Sequence, residues 1–336
     1  MGQPRTVAFL SRHPINQDEL ALEHAAIEEI GGRLIVVQAA TLDEAIAGLR
    51  DADIAVTRFW GKLGDEFFSR LDRCRAILQP STGYDMIDVD AATARGVAVI
   101  NLPIQCLDEV ANHAIAFLLA LNRKLVIGHN QARRGVWNPR GLLPIGPITG
   151  ETFGLLGFGN IARETGRRAQ VFGLQVIAYD PFVNPALAAD LNVELVSLDD
   201  LLTRSDYVSC HLPLNPKTRH SIGEQQFRQM KRSAIFINTA RGPVVDEPAL
   251  IKALQEGWIQ AAGLDVLEQE PPDPANPLLN MENVIVTPHL AGTSDATPPR
   301  QRRQVIESYV AYLRGERPLG LVNPTVWEAV RARVLV

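Results

Sequence analysis

Short runs of β-branched and apolar residues alternate with amphipathic stretches along almost the whole chain. This alternation restricts the fold more than any other feature. Residues 6–10, 34–37, 54–57, 76–78 and 97–100 read as strands bounded by polar, Gly or Pro residues. Between them, 18–30 and 42–51 carry helical periodicity. Near-continuous apolar strands belong to parallel sheets buried on both faces, and each parallel neighbour needs a crossover connection, here a helix. The pattern therefore predicts an α/β chain built on doubly wound parallel sheets.

The alternation is interrupted once. Residues 108–134 form one long helical pattern with Val110, Ala114, Phe117, Leu118 and Leu121 on a single face, followed by a Gly/Pro-rich arm at 135–150 that contains Trp137. A second series of strands follows at 153–157, 174–179, 207–210, 234–238, 262–266 and 284–287. A last helical pattern occupies 295–315. Two series on either side of a helical bridge predict two domains, which suits a chain of 336 residues.

Within the second series, Phe153-Gly154-Leu155-Leu156-Gly157-Phe158-Gly159-Asn160-Ile161-Ala162 sets a G-x-G-x-x-A between a strand and a helix. Gly157 allows the tight turn, Gly159 lets backbone approach a pyrophosphate, and Ala162 lets the helix sit close on the strand. The free N–H groups and dipole of the helix N-terminus favour the phosphates. After the next strand stands Asp180, where a carboxylate would accept the two ribose hydroxyls of an adenosine. Such a carboxylate repels a 2′-phosphate, and Pro181 and Phe182 follow it instead of an Arg, so the expected cofactor is NAD.

Several further motifs occur in one order: Thr82-Gly83-Tyr84-Asp85-Met86-Ile87-Asp88, the turn at Gly157, His211-Leu212-Pro213-Leu214, Asn238-Thr239-Ala240-Arg241-Gly242, Gly263-Leu264-Asp265-Val266, Glu270-Pro271 and Thr287-Pro288-His289. With them the chain resembles the D-isomer-specific 2-hydroxyacid dehydrogenase family from about Arg5 to Pro324. The resemblance implies a Rossmann NAD-binding domain (103–292) inserted into a flavodoxin-like substrate domain (1–102 and 293–336). It also implies a cleft between the domains and a homodimer formed through the long helix and arm.

Position by position, Arg241 resembles the substrate-binding arginine, Glu270 the acidic partner and His289 the acid/base. Asp265 resembles the residue that holds the nicotinamide amide, and Thr82 and Gly83, with Ser81 beside them, the loop whose N–H groups receive the substrate carboxylate. Cofactor contacts are expected at Gly157, Gly159, Asn160, Ile161, Asp180, His211, Pro213, Thr218, Thr239, Ala240, Asp265 and His289. The chain departs from the family pattern at Ser81, Met86, Asn112 and Pro243.

The residue types suit the implied reaction, interconversion of a D-2-hydroxy acid and its 2-keto acid. An Arg fork engages carboxylate and carbonyl oxygens together. A His oriented by a carboxylate handles the hydroxyl proton. Arg241 and His289 both follow strands, at the carboxyl edge where doubly wound sheets bind ligands. Arg58, Phe59 and Trp60 follow the third strand, and Arg58 is a candidate anion contact beside ordinary aromatic packing. His24, His129 and His220 are read as packed or solvated, His113 as part of the long helix, and His211 as a wall of the cofactor pocket. Phosphite or formate oxidation on the same fold, and NAD sensing by a co-repressor-like protein, stay open as alternatives.

Charge and composition narrow the partners. A net charge of −5 offers no basic field for nucleic acid or an anionic membrane surface. The longest apolar run, 114–121, is far short of the roughly 20 residues of a membrane span. The three cysteines are widely separated, which fits a reducing, cytoplasmic setting. No metal-ligand spacing is present, and the expected ligands are NAD and a small-molecule substrate.

Overall fold

The structure is a computed structural model and describes residues 5–58 and 61–334. Phe59 and Trp60 lie outside the described residues. The chain divides into two compact units, Met1–Gln105 with Ser294–Val336, and Cys106–Thr293.

In the first unit, the described strands are β1 (Thr6–Ser11), β2 (Arg33–Gln38), β3 (Ile54–Arg58), β4 (Ala76–Leu78) and β5 (Ala98–Ile100). They pair in the order β2-β1-β3-β4-β5, every pair parallel, which is the flavodoxin-like winding. The two-residue side-chain period divides each strand between two cores. Val7, Phe9, Val56, Leu78 and Ile100 face Leu20 and Ile27 together with Val305, Tyr309, Tyr312 and Trp327 from the far end of the chain. Ala8, Leu10, Ala55, Ile77 and Val99 face Ala45, Leu49, Phe67, Phe68 and Ala92. Buried Asn323 closes the edge of β5: its Oδ1 accepts from Val99 N at 2.8 Å and its Nδ2 donates to Val97 O at 2.9 Å.

The second unit contributes β6 (Thr152–Leu156), β7 (Gln175–Tyr179), β8 (Glu194–Leu195), β9 (Tyr207–Cys210), β10 (Ile235–Asn238), β11 (Ala261–Leu264) and β12 (Val284–Val286). Their order is β12-β11-β10-β9-β6-β7-β8, all parallel. The winding reverses between β6 and β9, the switch point at which a Rossmann sheet opens its ligand crevice. Here too the faces alternate: Leu156, Val208, Phe236 and Leu264 look one way. Phe153, Leu155, Tyr207 and Ile237 look the other, under Ala114, Phe117, Leu118 and Leu121.

Two elements differ from the expectation. The helical pattern at 108–134 is two helices, Leu107–Asn122 and Leu125–Arg133, broken where Lys124 takes a left-handed φ of 51°. The first helix buries a full face while the second buries none of its residues, so apolar period alone does not register the break. Strand β8, only two residues long, is too short to leave a pattern. Among the described residues no single helix is long and apolar enough to cross a membrane, and the broken pair is bent by 58°.

Candidate active site

The fingerprint turn is built as its residues demand. Gly157 has φ 88°, and a Cβ there would stand 3.0 Å from His211 O, so any larger residue meets both strain and backbone. Gly157 N donates to Tyr179 O at 2.9 Å, and Gly159 caps the helix Asn160–Val171. Asp180 is fixed by this turn. One carboxylate oxygen accepts from Phe158 N and the other from Phe182 N, both at 2.9 Å. Each oxygen keeps lone pairs for further donors, as a ribose diol requires.

Across the switch point, His211 follows β9 with its N donating to Leu156 O at 2.8 Å and its Nε2 2.9 Å from Ser209 Oγ. Burial pushes its imidazole down to about 4, so the ring is neutral. Thr218 Oγ1 folds the following turn by donating to Pro213 O at 2.6 Å. After β10, buried Asn238 shapes the next loop: its Oδ1 accepts from Ala240 N at 3.0 Å and its Nδ2 donates to Arg241 O at 3.1 Å. The buried Thr239 hydroxyl has no hydrogen-bond partner among the described residues. A buried orphan donor at the same carboxyl edge of the sheet as the glycine-rich turn fits a bound dinucleotide that supplies the missing partner.

His289 and Glu270 are in direct contact, Nδ1 to Oε2 at 2.7 Å, with both side chains partly open to solvent. Glu270 Oε1 also accepts from Leu267 N at 3.1 Å, so the carboxylate is held at both oxygens. His289 has φ 50°, a left-handed conformation that costs a non-glycine residue about 1–3 kcal/mol and persists only where neighbours enforce it. Asp265 supplies the enforcement. Its backbone O accepts from His289 N at 2.8 Å, Oδ1 from Thr287 Oγ1 at 2.5 Å and Leu290 N at 2.9 Å, and Oδ2 from Ala291 N at 2.9 Å. Behind Thr287, His113 Nε2 lies 3.0 Å from its hydroxyl, in a setting whose burial pushes the His113 imidazole down.

Arg241 joins the same neighbourhood through its chain neighbour. A Cβ on Gly242 would stand 1.8 Å from Leu267 O, so the Arg241-Gly242 turn lies directly on the loop that carries Glu270. The Arg241 Nη1 donates to Ala240 O at 2.7 Å.

In the first unit, the loop after β4 is held by side chains on all sides. Thr57 Oγ1 donates to Gln79 Oε1 at 2.7 Å, Gln79 Nε2 to Ser81 Oγ at 3.1 Å, and Ser81 Oγ to Gly83 O at 2.7 Å. Thr82 Oγ1 donates to Leu102 O at 3.0 Å while Asn101 Nδ2 donates to Thr82 O at 2.7 Å. Arg58 ends β3, half-buried. Among the described residues no cluster of His, Cys, Asp or Glu is arranged for a metal ion.

Sequence reasoning had no means of finding the supports of this site. His113, Gln79 and Thr57 are ordinary polar residues until the fold brings them behind the loops they brace, and Thr287, though part of a motif, shows its bracing contact only in the fold. His220, read as packed or solvated, is 42% exposed and bonded to Glu268 in the Glu270 loop. The one signal available was position, since Glu268 stands two residues before Glu270.

Residues 115–291 match the model of the D-isomer specific 2-hydroxyacid dehydrogenase NAD binding domain. A glyoxylate reductase of Korarchaeum cryptofilum is 42% identical over 285 residues, 84% of this chain and 86% of that protein. A D-3-phosphoglycerate dehydrogenase of Methanocaldococcus jannaschii is 36% identical over 94% of this chain, which spans 59% of that longer protein. Among solved structures, a D-lactate dehydrogenase from Aquifex aeolicus complexed with NAD and lactic acid superposes with a TM-score of 0.77, at 28% identity, over 92% of this chain and 96% of that one. A switch-point crevice behind a G-x-G-x-x-A turn, a His–Glu pair at the carboxyl edge and these similarities agree: the chain belongs to the D-isomer specific 2-hydroxyacid dehydrogenase family.

Proposed function

We propose that the protein interconverts a D-2-hydroxy acid and its 2-keto acid with NAD. The observation that carries this reading is the His289–Glu270 contact at 2.7 Å, held on the loop that also seats the Arg241-Gly242 turn. In this assignment Cys106–Thr293 is the cofactor unit and the remainder the substrate unit. The phosphates rest on Gly157, Gly159, Asn160 and Ile161, and the adenosine ribose on Asp180. Thr239, Ala240, His211, Pro213 and Thr218 line the cofactor, and Asp265 receives the nicotinamide amide from the carboxylate that anchors the His289 loop. NAD, when bound, exchanges a hydride with the substrate's C2.

The chain's own residues do the rest. With Nδ1–H donated to Glu270, His289 is left with Nε2 for the substrate oxygen. In reduction, Nε2–H is donated to that oxygen as charge develops on it; in oxidation, Nε2 takes the hydroxyl proton. The Glu270 carboxylate fixes the ring and offsets the imidazolium charge. Arg241 holds the substrate carboxylate and carbonyl oxygen with its fork. Ser81, Thr82 and Gly83 receive the carboxylate through their braced loop, and Arg58 gives a further anion contact.

A homodimer through the second unit is part of the same proposal. Leu125, Trp137 and Leu143 are 58%, 89% and 62% exposed along one helix and arm, a concentration of apolar surface that pairing would cover. Sedimentation of a single monomeric species would remove the dimer.

The functional test is a panel of glyoxylate, hydroxypyruvate, pyruvate and phenylpyruvate with NADH, alongside phosphite and formate with NAD. Turnover of a 2-keto acid is expected, with His289→Gln costing about two to four orders of magnitude in kcat. Arg241→Ala should raise KM and lower kcat together. Activity confined to phosphite or formate, or near-normal turnover by His289→Gln, overturns the assignment.

A further inference from the structure

Two glutamates in one loop each hold a histidine. Glu270 takes His289 on one side, and Glu268, two residues earlier, takes His220 Nε2 on its Oε1 at 2.6 Å. Both histidines adopt left-handed backbone, with φ 50° at His289 and 52° at His220. His220 belongs to the segment after β9, and its own N–H donates to Pro243 O at 2.9 Å. That bond places it against the chain just past Arg241-Gly242.

The Leu267-Glu268 peptide, just ahead of the two glutamates, has little room to move. Gly242 presses on it, because a Cβ there would stand 1.8 Å from Leu267 O and 2.6 Å from Glu268 N. Glu268 N donates to Glu247 Oε2 at 2.8 Å, and Glu247 is steadied in turn by Asn276 Nδ2, 2.7 Å from its Oε1. On the inner side, Leu267 N donates to Glu270 Oε1 at 3.1 Å. The Leu267-Glu268 peptide is therefore gripped by the Arg241 turn, by Glu247 and, through the Glu268 side chain, by His220. The Glu270 carboxylate leans on the adjoining Val266-Leu267 peptide, through the Leu267 N–H.

We propose that His220 and Glu268 form an outer clasp that positions Glu270 against His289, so that His220 is a positioning residue for the reaction although it touches neither substrate nor cofactor. This rests on the roles given above to Glu270 and His289. Releasing the clasp lets the turn relax away from His289, so the dyad loosens while the fold and the cofactor turn at Gly157 stay in place.

The test uses the full-length protein and two independent readouts. One is the low-field proton of His289 Nδ1 in the NMR spectrum of the protein without cofactor, assigned by its absence from His289→Gln. The other is kcat and KM for glyoxylate with NADH. His220→Leu is expected to broaden or lose the proton and lower kcat about tenfold, with KM for NADH within about twofold of wild type. His220→Gln, which keeps a donor for Glu268, is expected to retain both. If His220→Leu does not fold, Glu268→Ala takes its place with the same expectation. Retention of the proton and of kcat in the leucine variant overturns the clasp, as does a glutamine variant that loses as much as the leucine one. Wild-type protein inactive on every 2-keto acid removes the functional reading alone, since the proton readout needs no turnover.

Discussion

Acid should weaken this protein through one half-buried ring. His211 is held neutral in the second unit, its imidazole pushed from 6.5 down to about 4 by burial. The unfolded chain takes a proton there below about 6.5, whereas the folded chain refuses it until about 4. Stability from this group is complete above the unfolded value and drains away as pH falls between the two. A gap of about 2.5 pH units corresponds to ~3 kcal/mol at full effect, and at pH 5 to about 2 kcal/mol. The comparison is wild type against His211→Gln, whose amide can still meet Ser209 Oγ but does not titrate. Urea unfolding at pH 7.5 and pH 5 should show wild type losing about 2 kcal/mol more than the variant. The variant's stability at pH 7.5 does not matter, since only the two pH differences are compared and other titrating groups cancel. Equal losses in the two proteins, or an NMR titration of His211 centred near 6, would refute the argument.

Two other outcomes follow from the geometry. NADH should exceed NADPH in kcat/KM by about a hundredfold, ~2.7 kcal/mol, because the Asp180 carboxylate is fixed by two backbone donors with no cation following it; equal efficiency with the two cofactors would contradict this. Asp265→Asn keeps the shape but sets an NH2 against one of the donors from Thr287, Leu290 and Ala291. It should cost about 2–3 kcal/mol in denaturant unfolding and lower kcat as the His289 loop loosens, and an unchanged Tm with unchanged kcat would refute the anchoring role.

The sequence disclosed this architecture because its strands are buried on both faces. Val7 and Ala8 serve opposite cores, so apolar runs had to be continuous and were easy to find. The turn at Gly157 was also foreseeable, since chemistry restricts which residues occupy it, whereas the pairing of Glu270 with His289 was legible only through the family resemblance, because an isolated Glu reads as surface. Bracing contacts were not foreseeable. Thr57 and Gln79 act through contacts made only after folding, and nothing in their own stretches of sequence distinguishes them from surface polar residues; Thr287 and His113 stood in a motif and a helix, but their mutual contact was not written there. The break at Lys124 was hidden for a related reason: a single left-handed residue leaves the apolar spacing on either side intact.

The divided make-up of the first unit's core bears on how the chain is assembled. One face of its sheet is covered by Phe67, Phe68 and Ala92, which leave the ribosome together with β1–β5. The other face waits for Val305, Tyr309, Tyr312 and Trp327, and the edge of β5 waits for Asn323. All of Cys106–Thr293 is synthesised in the interval. The usual order of domain completion during translation, N-terminal first, is thereby inverted. The second unit has its whole core in hand while Val7, Phe9, Val56 and Ile100 have only Leu20 and Ile27 from the early chain against them. With only parallel pairings between the described strands, no local hairpin among the described residues shelters them meanwhile. The nascent N-terminal third is thus the stretch most in need of chaperone cover, and its exposure lasts until the final helices emerge.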